Sequence, residues 1–345
     1  MRSRPAFDST PPTLSVGSTP PTLSVVIPTF RRVGLLHRCL NALGAQTINP
    51  ERFEIIVVDD GHETEVLACV ASAAAAARGL RLRYLRPEQG RGPAVARNCG
   101  WRAAHGEIIV FTDDDTLPDP GWLMQGETAL QRHPEWSALC GRIRVPLPHD
   151  DLPTDHERMT RGLESAEFAT ANAFVRRDAL VRIGGFDERF ARAWREDSDL
   201  QFRLMAQVGP VGSAPHAVVL HPARAEAWGV CLRQQRNAFF DALLYKKHPT
   251  LYRTRLHPSP PWNDYLIVGL AMAAPLLLWA GSGGAAVTAA LLLVGLWLQV
   301  ALARRRHTTR RPSHVVEMLS TSALIPFLSV YWRLRGAIRF RVMFL

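Results

Sequence analysis

Apolar runs alternate with helical patterns along residues 23 to 117. Three runs rich in β-branched side chains, LSVVIP, EIIVVDD and EIIVF, have the length and composition of buried strands. The segment after the first run is predicted to be a helix, because its apolar residues recur on one face: Val33, Leu36, Leu40 and Leu43. An alanine-rich helix follows the second run. This alternation predicts an α/β fold with a largely parallel sheet.

Two of the predicted strands end in carboxylates. Asp59 and Asp60 follow EIIVV, and the triplet Asp113 to Asp115 follows EIIVF. In open α/β sheets, ligands bind beyond the carboxyl ends of the strands. We therefore expect both groups of carboxylates to line one crevice.

The second half of the domain has less regular alternation. WSALCGRIRV is a candidate strand, residues 146 to 157 form a loop rich in Pro, Asp and His, and WREDSD opens an amphipathic helix. The pattern predicts a disordered tail over residues 1–22 and one domain over 23–251, which divides into 23–117 and 118–251.

A long uncharged stretch follows this domain. Residues 265 to 303 contain no Asp, Glu, Lys or Arg and are interrupted by the turn-like segment 281–284. At ~1.5 Å per helical residue, the stretch is about twice the ~30 Å hydrocarbon core of a bilayer. Two transmembrane helices, joined as a hairpin within residues 264–303, are predicted.

The positive charge of the chain is concentrated beside these apolar residues. The formal net charge is +10, and residues 252–345 hold 11 Arg against one Asp and one Glu. This placement favours a membrane surface and argues against nucleic acid as a partner. The arginines of RRRHTTRR place the catalytic domain on the cytoplasmic side of the inner membrane, and the N-terminus MRSRPAFDSTPP shows no apolar export segment.

The last part of the chain, 304–345, is predicted to be a basic loop followed by one further helix. Its apolar stretch, residues 318–331, is short and runs into four arginines, 333, 335, 339 and 341. A spanning helix would carry those arginines to the outside. We therefore expect a re-entrant or interfacial helix that binds anionic headgroups.

The carboxylates have a specific chemical use. Transfer of a sugar from a nucleotide diphosphate requires a divalent ion, held by one or two carboxylates, to neutralise the leaving group. Asp113 and Asp115 point to the same side of an extended chain and fit this task. Displacement with inversion also needs a base, for which Asp197 is the candidate. Capping of a helix start by acidic residues is the structural alternative for Asp197. His221 is either a metal or phosphate ligand or a structural histidine.

The motifs together resemble a known family. SVVIPTF, EIIVVDDG, ARNCGWRAAHGEIIVFTDDD, ANAFVRRDALVRIGGFDERF and WREDSDLQFRL match, in order and spacing, the motif series of family-2 glycosyltransferases with the GT-A fold. The resemblance covers residues 23 to 248 and implies that the catalytic domain over 23–251 has a nucleotide-sugar half, 23–117, and an acceptor half, 118–251. It implies a Rossmann-like nucleotide-binding domain, a nucleotide-diphosphate sugar as donor and Mg²⁺ or Mn²⁺ as cofactor.

The resemblance also implies roles for matching residues. The nucleotide would be bound by Pro28, Phe30, Asp60, Arg97 and Asp113. The metal would be held by Asp113, Asp115 and His221. Asp197 would be the catalytic base, with Glu196 beside it. A loop at the donor sugar and the acceptor would contain Gly185, Phe186, Asp187 and Trp194.

The expected function is inverting transfer of one sugar to a hydroxyl group of a membrane-associated acceptor, a lipid-linked saccharide or glycolipid, in the synthesis of cell-envelope glycans. Processive relatives carry Q-x-x-R-W after the base, whereas this chain reads QQRNA at 234–238 and lacks the tryptophan. A processive polysaccharide synthase and a non-catalytic membrane scaffold are the alternatives. A sugar nucleotidyltransferase is disfavoured, because PTFRR stands where that class carries a glycine-rich loop.

Overall fold

The computed structural model describes residues 20–76, 79–147 and 152–345. The expected disordered tail lies outside the described residues except for 20–22, and part of the loop 146–157 also lies outside them. All five cysteines are free thiols, and three of them are buried: Cys39, Cys140 and Cys231.

The first half of the domain has the alternation that the sequence predicts. Its elements are β1 (Leu23–Thr29), α1 (Val33–Gly44), β2 (Phe53–Asp59), α2 (Thr64–Ala76), β3 (Arg81–Leu85), α3 (Pro93–Ala103) and β4 (Ile108–Thr112). The four strands pair in parallel, in the order β3-β2-β1-β4. Their carboxyl ends therefore lie along one edge of the sheet, as expected for the carboxylates that follow them.

In its described residues, the second half contributes four strands and seven α-helices. They are β5 (Leu117–Pro118), α4 (Trp122–Arg132), β6 (Ala138–Arg144), α5 (Asp155–Thr160), β7 (Asn172–Arg176), α6 (Arg177–Ile183), α7 (Glu196–Gln207), β8 (Val211–Leu220), α8 (Val230–Gln234), α9 (Ala238–Lys247) and α10 (Pro249–Arg255). The eight-stranded sheet has the order β3-β2-β1-β4-β7-β6-β8-β5. Four pairs of strands are parallel and three are antiparallel, so the prediction of a mostly parallel sheet is confirmed.

Helices cover both faces of the sheet, and two apolar cores result. Val25 and Ile27 of β1 pack into one core, whereas Val26 packs into the other, because successive strand residues point to opposite faces. The first core also contains Trp122 of α4, and the second contains Phe111 of β4. Burial on both faces explains why these strands are continuous apolar runs.

Three apolar helices follow the α/β domain: α11 (Trp262–Trp279), α12 (Gly283–Arg305) and α13 (Pro312–Phe340). All three are long and apolar enough to cross a membrane. The large apolar side chains of α11 and α12 point outward, as the exposures of Leu278 (66%) and Leu291 (68%) illustrate. Exposed apolar surface of this extent indicates that the chain associates with a membrane.

Helix α13 is longer than the stretch 318–331 that the sequence indicated. It runs for 29 residues and continues through Pro326. Its polar positions are accommodated by contacts that the sequence does not reveal. The guanidinium of Arg304, near the end of α12, donates to the hydroxyls of Thr321 and Ser322 at 3.0 and 2.8 Å.

Both ends of α13 contact the α/β domain. Near its start, Glu317 Oε1 accepts a hydrogen bond of 2.7 Å from the backbone N–H of Gly229. Near its end, the carbonyl of Phe340 accepts a hydrogen bond of 2.7 Å from Lys246 Nζ. Phe344, just beyond the helix, is buried in an aromatic cluster with Tyr252. The helix therefore lies along the domain.

Candidate active site

The carboxyl ends of β1 and β2 form one wall of a cavity of about 670 Å³. Pro28, Phe30 and Asp60 all line it, as the resemblance implied. Asp60 Oδ2 accepts a hydrogen bond of 2.9 Å from the backbone N–H of Gly92, and Asp60 Oδ1 is buried without a partner among the described residues. An unpaired buried acceptor is costly unless a ligand donates to it.

Gly92 allows this contact because of its backbone. Its φ of 108° lies in the region that favours glycine, and a Cβ at this position would come within 2.8 Å of the carbonyl oxygen of Ala191. Asp59, the neighbour of Asp60, faces away from the cavity. It accepts hydrogen bonds from the backbone N–H groups of Gly61 and Glu63 at 2.8 and 2.7 Å and thereby shapes the turn after β2.

The three aspartates after β4 have different surroundings. Asp113 Oδ1 lies 2.8 Å from Arg97 Nη2. Asp114 turns toward β1, where it accepts a hydrogen bond of 2.8 Å from the hydroxyl of Thr29. Asp115 Oδ1 lies 3.5 Å from His221 Nε2. The middle aspartate thus tethers the loop to β1, although all three aspartates line the cavity.

These environments also set the protonation of the aspartates. Burial alone would raise the pKa of Asp113, but nearby positive charges, first that of Arg97, and a hydrogen bond from Arg97 together outweigh it, and the pKa lies below its usual value. Burial raises the pKa of Asp114 to about 6 against the opposing charge of Arg32. Asp113 is therefore held as an anion near neutral pH.

Asp113, Asp115 and His221 form a candidate metal centre. One ligand atom from each lies within 4.8 Å of the others. Nδ1 of His221 is buried without a hydrogen-bond partner among the described residues, so no protein acceptor there fixes the ring. Two carboxylates and an imidazole suit a divalent cation of the Mn²⁺ type. The donor set fits the metal that the sequence indicated.

A second cavity, of about 560 Å³, adjoins the first. It is lined by Trp194, Glu196 and Asp197 and shares Arg97 and Asp113 with the first cavity. The chain enters α7 through Arg195, whose φ of 74° is rare for a residue with a side chain. Arg195 Nε donates to Asp241 at 2.6 Å, which holds this turn in place.

Arg97 joins the two cavities. Its Nη2 binds Asp113, and its Nη1 donates to Glu196 Oε1 at 3.0 Å. Burial, and next the charge of Asp197, raise the pKa of Glu196, and burial also raises the pKa of Asp197. A carboxylate with a raised pKa is a stronger base, which suits proton abstraction.

The loop of Gly185, Phe186 and Asp187 lines neither cavity. Gly185 has a φ of 75°, and a Cβ there would lie 2.5 Å from Asn98 Oδ1. The ring of Phe186 lies 5.8 Å from the guanidinium of Arg97, and Asp187 Oδ2 binds Lys247 Nζ at 2.6 Å. Phe186 thus packs near Arg97, and a role of this loop at the donor sugar and the acceptor stays a prediction.

Sequence reasoning missed several cationic residues that line the first cavity. They are Arg32, Arg192, Arg224 and Arg233. Arg224 Nε lies 3.0 Å from Asp115 Oδ2. Its position three residues after His221 was the available signal, but a lone arginine in a loop has no pattern that assigns it a task.

Comparison with known proteins identifies the domain. The protein-family model described as glycosyl transferase family 2 matches residues 24–186. Those residues form a glycosyl transferase family 2 domain. The predictions of the family and of a glycosyltransferase domain are therefore confirmed.

The curated relatives match this chain over part of their length. A validoxylamine A glucosyltransferase of Streptomyces hygroscopicus subsp. limoneus is 28% identical over 273 residues, 66% of this chain and 57% of the relative. The succinoglycan biosynthesis protein ExoU of Rhizobium meliloti is 40% identical over 174 residues, 49% of each protein. The matched part of the chain thus spans about half the length of such relatives.

The fold has a solved counterpart. A mannosyltransferase from Pyrobaculum calidifontis, in complex with GDP-Man and Mn²⁺, superimposes with a TM-score of 0.60 at 21% sequence identity. The superposition covers 92% of this chain and 88% of the mannosyltransferase. Together with the family match, it confirms the GT-A fold.

Proposed function

We propose that the chain transfers a single sugar, with inversion, from a nucleotide-diphosphate sugar to a hydroxyl group of a membrane-associated acceptor. The observation that carries the proposal is the position of Arg97. It contacts Asp113 in the first cavity, here called the donor cavity, and Glu196 in the second, here called the acceptor cavity. The two cavities meet at this residue. A donor and an acceptor bound in them would be adjacent, and Asp197 lines the acceptor side.

In this proposal the donor cavity holds the nucleotide diphosphate. The free Oδ1 of Asp60 accepts an N–H of the base, and Arg97 faces the diphosphate. Asp113, Asp115 and His221 would hold a divalent cation, Mg²⁺ or Mn²⁺, which neutralises charge on the leaving diphosphate. The histidine in the donor set favours Mn²⁺ over Mg²⁺, which prefers oxygen ligands.

The acceptor cavity supplies the base. Asp197 takes the proton from the acceptor hydroxyl as the oxygen forms its bond to the anomeric carbon. The bond from that carbon to the diphosphate breaks, and the diphosphate leaves with the electron pair. Attack from the face opposite the leaving group inverts the configuration. Glu196 supports the base by holding Arg97 at the junction of the cavities.

The acceptor cavity opens close to the membrane helices, which supports a lipid-carried acceptor. Its rim includes Arg255, the last residue of α10, which binds Glu167 Oε2 at 2.5 Å across the cavity edge. A short proline-rich link, residues 257–261, leads from there to α11, which begins at Trp262. A lipid-linked saccharide could therefore present its sugar to Asp197 while its lipid stays beside the hairpin.

The catalytic step is tested by nucleotide release. The protein in membranes, with lipid extract and a panel of sugar nucleotides, should release nucleotide diphosphate. Asp197→Asn should abolish this release while Asp178→Asn, a change on the exposed part of α6, should not. A non-catalytic scaffold would release none in any form. Release that is equal in the wild type and Asp197→Asn would contradict the proposed mechanism.

For the membrane arrangement, we propose that α11 and α12 cross the inner membrane as a hairpin while α13 lies in its cytoplasmic surface. The contacts at Glu317 and Phe340 are about 35 Å apart along the helix axis at ~1.5 Å per residue, more than the ~30 Å hydrocarbon core. A spanning helix would carry one of these ends to the far side, yet both touch the catalytic domain.

The outward face of α13 fits this position. Large apolar side chains recur on it at helical spacing: Val316, Leu324, Phe327, Tyr331, Leu334 and Ile338. Arg335 and Arg339 stand beside this stripe and would meet anionic headgroups. An apolar stripe flanked by arginines is typical of an interfacial helix.

Cysteine labelling from either side of the membrane tests the topology. A cysteine introduced in place of Gly283, at the turn between α11 and α12, should react only from outside. Cysteines in place of Ser313 and Met343, beside the two ends of α13, should both react only from the cytoplasm. Reaction at position 343 from the outside would show that α13 spans.

A further inference from the structure

Residues 222–229, between β8 and α8, form one wall of the donor cavity. The segment is fixed at both ends. Before it, the backbone N–H of His221 donates to the carbonyl of Arg144 at 2.8 Å, and at its end the N–H of Gly229 donates to Glu317 Oε1. Between these anchors, Arg224 and Glu226 line the cavity. The anchors hold the backbone, so we expect rearrangement to be concentrated in the side chains.

Arg224 makes one close ionic contact. Its Nε lies 3.0 Å from Asp115 Oδ2, while the other oxygen of Asp115 faces His221. The side chain of Asp115 is only 4% exposed, whereas that of Arg224 is 35% exposed and borders the cavity. A cation from the loop thus neutralises a buried carboxylate of the candidate metal centre.

This position has an electrostatic consequence for ligand binding. A divalent cation at Asp113, Asp115 and His221 would share Asp115 with the guanidinium, and two cations on one buried carboxylate repel each other. A diphosphate in the cavity would add negative charge that attracts both the divalent cation and the guanidinium of Arg224. The guanidinium of Arg224, which lines the cavity, can bind phosphate oxygens.

We propose that Arg224 couples metal binding to diphosphate binding: it disfavours the metal alone and favours the metal together with the diphosphate. The proposal rests on the proposed function, because it assumes that the metal and the diphosphate occupy the donor cavity. In this role, Arg224 makes binding of the metal depend on binding of the nucleotide diphosphate. The coupling is reciprocal, so each ligand must raise the affinity for the other by the same factor.

The test measures binding rather than turnover. Mn²⁺ binding to the full-length protein in detergent is followed by electron paramagnetic resonance, with and without inorganic pyrophosphate as the diphosphate probe and with free Mn²⁺ corrected for its pyrophosphate complex. In the wild type, pyrophosphate should raise the affinity for Mn²⁺. In Arg224→Gln, Mn²⁺ alone should bind about fivefold tighter, and the enhancement by pyrophosphate should shrink by a similar or larger factor.

Two further variants sharpen the result. Arg224→Lys keeps the charge and should retain most of the coupling. Arg233→Gln removes a cation from the same cavity that pairs with Glu226 at 3.5 Å, away from Asp115, and should leave the affinity for Mn²⁺ alone unchanged. Equal tightening in Arg233→Gln would show that general cavity charge, and not the Arg224 contact, sets the affinity, and it would overturn the proposal.

Two outcomes separate this inference from the function on which it rests. If the wild type binds Mn²⁺ and pyrophosphate but Arg224→Gln binds Mn²⁺ alone no more tightly, the role of Arg224 is refuted and the proposed function stands. If the wild type binds neither probe, the metal-dependent function fails together with the inference.

Discussion

Asp113 on the donor side and Asp197 on the acceptor side are both partly buried carboxylates near Arg97, but their environments shift their pKa values in opposite directions. Arg97 Nη2 lies 2.8 Å from Asp113 and lowers its pKa despite burial, whereas burial dominates at Asp197 and raises its pKa. A pair of titratable groups whose environments separate their pKa values marks a division of chemical roles. The donor carboxylate stays anionic for a cation, and the acceptor carboxylate gains basicity.

The largest expected effect comes from removing the acceptor-side base. Asp197→Asn keeps the shape of the side chain but cannot accept the proton, so kcat should fall by about 10²–10⁴-fold. Affinity for the nucleotide should change little, because Asp197 does not line the donor cavity. Steady-state assays of nucleotide release give kcat. Wild-type turnover in this variant would remove the distinction between the two carboxylates.

Removing the cation between the two sides should destabilise the fold. Arg97→Met leaves Asp113 and Glu196 without their shared partner, at a cost of about 3–5 kcal/mol in the free energy of unfolding. Arg102→Met is the matched control on the same helix. Its partner Glu188 is 3.4 Å away and both side chains are exposed, so the loss should stay below about 1 kcal/mol. Unfolding by denaturant in detergent gives the free energy of unfolding of both variants. Equal losses in Arg97→Met and Arg102→Met would show that the buried pairing contributes no more stability than the exposed one.

On the donor side, Asp115 and the middle aspartate, Asp114, should differ in their contribution to Mn²⁺ binding. Asp115→Asn should weaken Mn²⁺ binding by at least about tenfold, since even changes beyond the direct ligands of a metal commonly cost 10–100-fold. Asp114→Asn should leave it unchanged, because Asp114 binds Thr29 and Arg32 instead. Titration of Mn²⁺ by electron paramagnetic resonance compares the two. Equal losses would mean that all three aspartates hold the metal.

The smallest effect concerns pH. Asp197 acts as a base only when deprotonated, and its raised pKa extends the protonated form to higher pH. With donor and metal saturating, kcat should therefore rise with pH, about tenfold per unit below the raised pKa, and then level off. A kcat that is constant down to the ordinary pKa range of aspartate would show that burial does not raise the pKa of this carboxyl.

The sequence predicts the donor side better than the acceptor side, and the reason is local. Asp60 and Asp113 directly follow β2 and β4, so strand topology alone brings them together. The link from Arg97 to Glu196 joins residues 99 positions apart, and no spacing rule reveals it. The contact of Phe186 with Arg97 also joins distant parts of the chain, and the role of the Gly185 loop at the donor sugar and the acceptor stays a prediction.

The same limit applies to the membrane part. Uncharged runs predicted the hairpin of α11 and α12 within a few residues, because hydropathy is a property of each segment. The extent of α13 depends on partners elsewhere in the chain. Thr321 and Ser322 are polar residues that interrupt the apolar pattern, and within the helix both hydroxyls accept hydrogen bonds from Arg304.

The division between the two carboxylates is tested most directly by calorimetric titration of Asp197→Asn and Asp115→Asn with the nucleotide diphosphate released by the wild type, in the presence of Mn²⁺. The account predicts that Asp197→Asn binds the nucleotide with wild-type affinity although it is inactive, and that Asp115→Asn binds it much more weakly. Lost binding in Asp197→Asn together with full binding in Asp115→Asn would contradict the account.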